Sequence, residues 1–267
     1  MADDTDALLA ALWADYVAIT PLAARVHALL RARGETVHND HVALRSFGAP
    51  GADVAALAAP FERHGWRPRD RYVFADKHLV ARYWDHPDPT RPKVFISELV
   101  LADLPARARG LVDELLAQLP TDFAARLDLP WAGRPWHLDH GHYLELLEVS
   151  EYAAWVAAFG FRVNHFTVDV GRLRTVPSLA AMNTLLQDAG FALNTAGGVI
   201  KGSAAALLEQ SSTLAEEVEV DFDDGTFLVP SCYYEFARRY PTPTGELFGG
   251  FVPASADRLF ESTDVAR

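Results

Sequence analysis

The sequence is short of several things, and each shortage removes a class of protein. A single cysteine, Cys232, occurs in 267 residues. No internal disulfide can form, so the chain is not a stapled secreted scaffold, and a reducing compartment suits it. Positive charge is scarce: 24 Lys and Arg stand against 36 Asp and Glu, for a net charge of -12. Nucleic-acid binding rests on cations that neutralise phosphate, so no nucleic-acid partner is expected. The opening MADDTDALLAALW carries three aspartates where a secretion signal carries lysine or arginine. Apolar runs long enough to span a bilayer are missing as well. The expectation is a soluble cytoplasmic protein with no membrane partner. The sequence leaves its oligomeric state open.

What is present is a chain that is half hydrophobic, enough for one substantial core over residues 1–267. Spacing predicts helices over 6–19 and 21–33, with Thr5 as N-cap, Pro21 opening the second and Gly34 stopping it. Residues 1–34 thus form an N-terminal helical unit with packing duties. Between 38 and 100 the order is a strand over 38–47, a helix over 52–64, and strands over 66–74, 79–84 and 93–99. Residues 101–160 break this rhythm as a helical insertion, with helices over 104–119 and 142–159 around a connection at 121–136. From 161 to 240 the first order returns: a strand over 161–170, a helix over 178–189, then strands over 198–201, 216–222 and 227–236. Residues 241–267 are left as a C-terminal tail. Gly65 follows His41 by 24 positions and Gly190 follows His165 by 25. A repeat of about 125 residues fits this spacing. The expected fold class is therefore α+β: two βαβββ-type modules forming a curved, mostly antiparallel sheet, with N-terminal and inserted helices.

The chemistry concentrates on the first strand of each module. In FRVNHFTVDV (161–170), period two puts Val163, His165, Thr167 and Asp169 on one face and Asn164, Phe166 and Val168 on the other. In 38–47, Asn39, His41, Ala43, Arg45 and Phe47 share a face, with Arg45 about 13 Å along the strand from His41. A histidine on such a strand is either a hydrogen-bonded core residue or a metal ligand on a stiff scaffold. The last strand adds Glu235 in CYYEF, a carboxylate costly to bury unless it is paired or metal-bound. Arg238 and Arg239 are its plain alternative partners. Arg45 likewise has internal acids, Asp169 and Glu98, that it could pair with. Two histidines and one carboxylate on one face, leaving open positions, suit a non-haem iron(II) site. A second cluster, His137, Asp139, His140 and His142, has ligand-type side chains. It falls in a turn beside Gly141 without a zinc-site spacing.

Three blocks together carry a resemblance: NDHVALRSF (Asn39–Phe47), SEYAAWVAAFGFRVNHFTV (150–168) and DGTFLVPSCYYEFAR (224–238). They resemble the 2-oxoadipate dioxygenase/decarboxylase family, which is related to the vicinal oxygen chelate superfamily with its paired βαβββ modules. The YYEFARR ending is also similar to the terminal iron-binding strand of 4-hydroxyphenylpyruvate dioxygenases. The resemblance implies an Fe(II) enzyme that takes 2-oxoadipate and O₂ to 2-hydroxyglutarate and CO₂. By motif position, His41, His165 and Glu235 would hold the iron. Arg45 would be the catalytic, substrate-holding arginine, and Gln210 a further pocket contact. Only 32 residues follow Glu235, fewer than in long bacterial members of the family, so part of the pocket wall is rebuilt here. Another metal-dependent enzyme on the same scaffold, a glyoxalase-type isomerase or an extradiol dioxygenase, is one alternative. A non-catalytic small-acid binder is the other.

Overall fold

A computed structural model describes residues 4–252 of the chain. Its helices are α1 (Asp4–Ile19), α2 (Pro21–Ala32), α3 (Val54–Arg63), α4 (Ala106–Leu116), α5 (His140–Val149), α6 (Glu151–Phe159) and α7 (Leu179–Asp188). Its strands are β1 (Asn39–Phe47), β2 (Arg67–Phe74), β3 (Leu79–Asp85), β4 (Lys93–Leu99) and β5 (Val163–Asp169), followed by β6 (Lys201–Ser203), β7 (Leu208–Ser212), β8 (Glu217–Phe222), β9 (Gly225–Pro230) and β10 (Glu235–Arg239). Eight strands curl into one sheet in the order β2-β3-β4-β1-β5-β10-β7-β6, and β8 and β9 form a separate hairpin. β1 runs parallel to β4 and β5 parallel to β10, while every other pairing in the sheet is antiparallel. The fold is thus α+β, with β1-α3-β2-β3-β4 and β5-α7-β6-β7-β10 as its two βαβββ units.

The units join through their first strands, β1 and β5, which occupy the middle of the sheet. Both are buried along nearly their whole length. That is why apolar residues fill much of both strands, with polar residues set among them. On the outer face, α1 lays Trp13 and Tyr16 against Phe166, with ring centroids 5.1 and 5.2 Å apart. No single helix among the described residues is long and apolar enough to cross a membrane.

Several sequence expectations shift. The helix over 142–159 is two helices, because Ser150 leaves helical geometry and accepts a hydrogen bond from Ala153 N to cap α6. α6 is buried on every side. At its end Gly160 has φ 71°, and a Cβ there would lie 2.2 Å from the Gly133 carbonyl oxygen. Only glycine permits this approach, where Gly133 and Phe161 exchange two backbone hydrogen bonds. In the second unit, the expected strands over 216–222 and 227–236 belong mostly to the detached β8–β9 hairpin, and β10 starts only at Glu235. The strand that fills the vacated place is β7, LEQSS, whose polar composition hid it. Asp4 is already helical, so Thr5 lies inside the first helix and not at its cap. Of the C-terminal tail, 253–267 lies outside the described residues.

Candidate metal centre

The antiparallel β1–β5 pair sets the site. Ala43 faces His165 and His41 faces Thr167, and on the other side of β5 Glu235 of β10 also lies level with Thr167. Three adjacent strands therefore deliver His41, His165 and Glu235 to one point. Each offers a ligand atom within 4.8 Å of the others, and all three are buried. They are the only such group of three or more among the described residues. His165 Nε2 lies 3.3 Å from Glu235 Oε2, and His41 Nε2 lies 3.5 Å from Glu235 Oε1.

Two irregularities in the β1–β5 register decide how the histidines are held. One extra residue, Asp40, bulges from β1 between Asn39 and His41; another, Asn164, bulges from β5 beside His165. A bulge re-aims side chains that strict alternation would send to the opposite face. Asp40 Oδ1 consequently accepts from His41 Nδ1 at 2.7 Å, and Asn164 Oδ1 accepts from His165 Nδ1 at 3.0 Å. Each Nδ1 is thereby the protonated nitrogen, and each Nε2 presents a lone pair to the centre. The period-two reading had placed Asn164 on the far face, and the bulge brings it into the cavity wall. Sequence reasoning assigned no role to Asp40. A polar residue directly before each strand histidine was the available signal.

The electrostatics are those of a site short of positive charge. Burial pushes the Glu235 carboxyl above its ordinary range, with a hydrogen bond from Gln210 pulling partly the other way. Burial, with the Arg45 cation nearby, holds the His165 imidazole well below its usual value, so it is neutral near pH 7. Thr167 Oγ1, 3.0 Å from His41 Nε2, donates to it. Gln210 Nε2 donates to Glu235 Oε1 at 2.7 Å, so Gln210 contacts the carboxylate as well as lining the cavity. Gln210 Oε1 and Asn164 Nδ2 are buried without partners. Converging lone pairs and a buried carboxylate fit a divalent cation with nitrogen and oxygen ligands.

Around the centre lies a small, partly open cavity. Its walls include Phe95, Ser97, Tyr233 and Phe251, and the Tyr233 ring stacks on His165 at 4.6 Å. Arg45 lines it too, 1% exposed, with Nη1 donating to Glu151 Oε1 at 2.9 Å. Its guanidinium lies over the rings of Tyr152 and Trp155, at 5.0 and 5.2 Å. The internal acid beside Arg45 is thus Glu151 of α6, not Asp169 or Glu98. Arg239 does not pair with Glu235 either. It grips Asp40 through Nε and Nη2, at 2.6 and 2.9 Å.

The second histidine cluster does not converge. His137 Nδ1 lies 3.0 Å from Asp223, His140 stacks on Phe227 at 3.7 Å, and the His140 backbone N–H donates to Asp224. These residues dock the β8–β9 hairpin.

Comparison with known proteins bears directly on this geometry. The sequence model of the family described as 2-oxoadipate dioxygenase/decarboxylase matches residues 129–248. A rice (Oryza sativa subsp. japonica) protein named 2-oxoadipate dioxygenase/decarboxylase, chloroplastic/amyloplastic, is 31% identical over 93% of this chain and 75% of its own length. The chain belongs to the 2-oxoadipate dioxygenase/decarboxylase family. Among solved structures, hydroxyglutarate synthase from Oryza sativa in complex with 2-oxoadipate superposes with a TM-score of 0.91. It is 29% identical and covers 96% of this chain and 91% of its own. A Shewanella frigidimarina chain that carries only the provisional label of hydrolase is 45% identical. Its TM-score is 0.90, over 95% of this chain and 100% of that one. The family assignment thus accompanies a buried two-histidine, one-carboxylate group in a cavity wall.

Proposed function

We propose that this protein is an Fe(II)-dependent dioxygenase that decarboxylates a 2-oxo dicarboxylate resembling 2-oxoadipate, giving a 2-hydroxy acid resembling 2-hydroxyglutarate and CO₂. The observation that carries the metal is the convergence of two imidazole lone pairs and the Glu235 carboxylate, all buried, with 3.3 and 3.5 Å between donor atoms. Thr167 and Gln210 each relieve one acceptor, but the His165 Nε2 lone pair and Glu235 Oε2, 3.3 Å apart, still repel unless a proton or a cation lies between them. His41, His165 and Glu235 would hold the ion. Ferrous iron there would supply redox chemistry with O₂ and a positive centre for the oxo-acid end of the substrate.

The chain's own residues do the rest. Asp40 and Asn164 keep each Nε2 turned inward. Gln210 steadies one Glu235 oxygen and leaves the other facing His165. Arg45, at the other end of the β1 segment, matches a second carboxylate by charge and planar shape, and its stacking on Tyr152 and Trp155 holds the guanidinium in place. Phe95, Tyr233 and Phe251 make the remaining wall apolar, which excludes water and strengthens each charge contact inside. The reaction's partners are the 2-oxo acid and O₂. The names of the rice relatives, one solved with 2-oxoadipate, support this substrate class.

The test is oxygen uptake by chelator-stripped protein reloaded with Fe(II) or Zn(II), across a panel of 2-oxo acids. Uptake stoichiometric with CO₂ release, with Fe(II) alone and best on a dicarboxylate, is expected. Turnover with Zn(II) and without O₂ would refute the reading in favour of an isomerase or hydrolase.

A further inference from the structure

Arg239 makes no contact with the proposed ligands themselves, yet it lies at the junction of two structures that touch His41. On one side its guanidinium grips both oxygens of Asp40, whose Oδ1 holds His41 Nδ1. On the other, its Nη1 donates to the backbone carbonyls of Phe248 and Gly250, at 2.9 and 2.6 Å. Those carbonyls belong to the segment that folds back after β10, anchored by Phe248 N–H on the Tyr240 carbonyl and Phe251 N–H on the Tyr72 hydroxyl. The segment ends with the Phe251 ring edge-on to the His41 imidazole, centroids 4.9 Å apart and planes at 89°, in the cavity wall. One buried guanidinium therefore serves four acceptors, two that orient His41 and two that place its cover.

We propose that Arg239 is a positioning residue that couples closure of the Phe248–Phe251 segment over the cavity to the orientation of His41. Planarity is what makes the coupling possible. Five donors in a rigid fork let the carboxylate fix the plane of the guanidinium, and the plane fixes where the two carbonyls lie. If the covering segment moves away, the fork loses two acceptors and Asp40 loses its stop. If the metal draws His41 into line, Asp40 and the fork follow and the segment closes. Coupling of this kind is reciprocal. The inference rests on the metal reading above.

The experiment uses the whole chain with Co(II) as probe, recording its dissociation constant and visible ligand-field spectrum. Hydrogen exchange at the Phe248 and Phe251 amides is followed with and without Co(II). In the wild type, Co(II) should slow exchange at both amides. Arg239→Lys keeps a charge beside Asp40, so the buried carboxylate is not stranded, but a single ammonium cannot span four acceptors. Co(II) affinity should fall on the order of 10- to 100-fold, as is usual when the partner of a ligating histidine is disturbed. The spectrum should change, and Co(II) should no longer slow exchange at the two amides. Phe251→Ala opens part of the apolar wall but leaves the fork intact, so Co(II) should still slow exchange at the Phe248 amide. It separates positioning from simple coverage. Wild-type affinity, spectrum and Co(II)-dependent protection in Arg239→Lys would overturn the proposal. Equal loss in Phe251→Ala and Arg239→Lys would overturn it too, because coverage alone would then explain the effect. If wild type and His41→Ala bind Co(II) equally, the metal reading fails and takes this inference with it.

Discussion

Replacing Glu235 with glutamine should affect stability in opposite ways with and without metal. In the chelator-stripped protein, Glu235 is a carboxylate 1% exposed, and burial raises its pKa. Its Oε1 accepts from Gln210, but its Oε2 faces the His165 Nε2 lone pair at 3.3 Å. A glutamine of the same shape can accept from Gln210 with its oxygen and donate to His165 with its amide nitrogen. Two acceptors then become a hydrogen-bonded pair, worth about 1 kcal/mol. For a domain of this size, 1 kcal/mol moves Tm by roughly 2–4 °C, so stripped Glu235→Gln should melt at or above the wild type. Adding metal reverses the order. A ligand at 100 times its Kd stabilises by about 2.7 kcal/mol, or roughly 5–10 °C, and only the wild type should gain it. The assay is a thermal melt of both proteins at matched Fe(II) or Co(II), with and without chelator. A stripped variant several degrees less stable than wild type would refute the reasoning, as would a variant stabilised by metal to the same degree.

Arg45→Met keeps most of the buried volume but removes the fork, so kcat/KM for a 2-oxo dicarboxylate should fall on the order of 10- to 150-fold while metal content stays constant. If only Tm falls, Arg45 is simply the partner of Glu151. Asp169 should make stability fall as pH rises. Burial and the nearby Asp40 raise its carboxyl to about 6, so between its ordinary value near 4 and pH 6 the folded chain keeps a proton that the unfolded chain has released. The loss reaches roughly 1–2 kcal/mol above pH 6 after screening, and Asp169→Asn should flatten it in a Tm–pH series. An unchanged slope would remove Asp169 as the cause. His142→Ala should leave metal content and activity at wild-type levels and stability within about 0.5 kcal/mol; lost metal would reopen the second histidine cluster.

What the sequence determined on its own was periodic or compositional. Apolar runs with β-branched and aromatic residues marked β1 and β5 as central strands. The matched spacing of His41, Gly65, His165 and Gly190 marked the two units, and a carboxylate among aromatics marked Glu235. These signals are local, and burial leaves them in the order of residues. The strand β7 left none, because Glu209, Gln210, Ser211 and Ser212 are polar and become a strand only through pairing with β10. Nor could alternation foresee the bulges at Asp40 and Asn164, since a bulge exists only relative to the partner strand's register. The partners Asp40–Arg239 and Arg45–Glu151 lie 199 and 106 residues apart. Charged side chains so distant in sequence carry no mark of which opposite charge they will meet. The convergence of three strands chose those partners and brought Phe251, from what the sequence offered only as a tail, over the ring of His41.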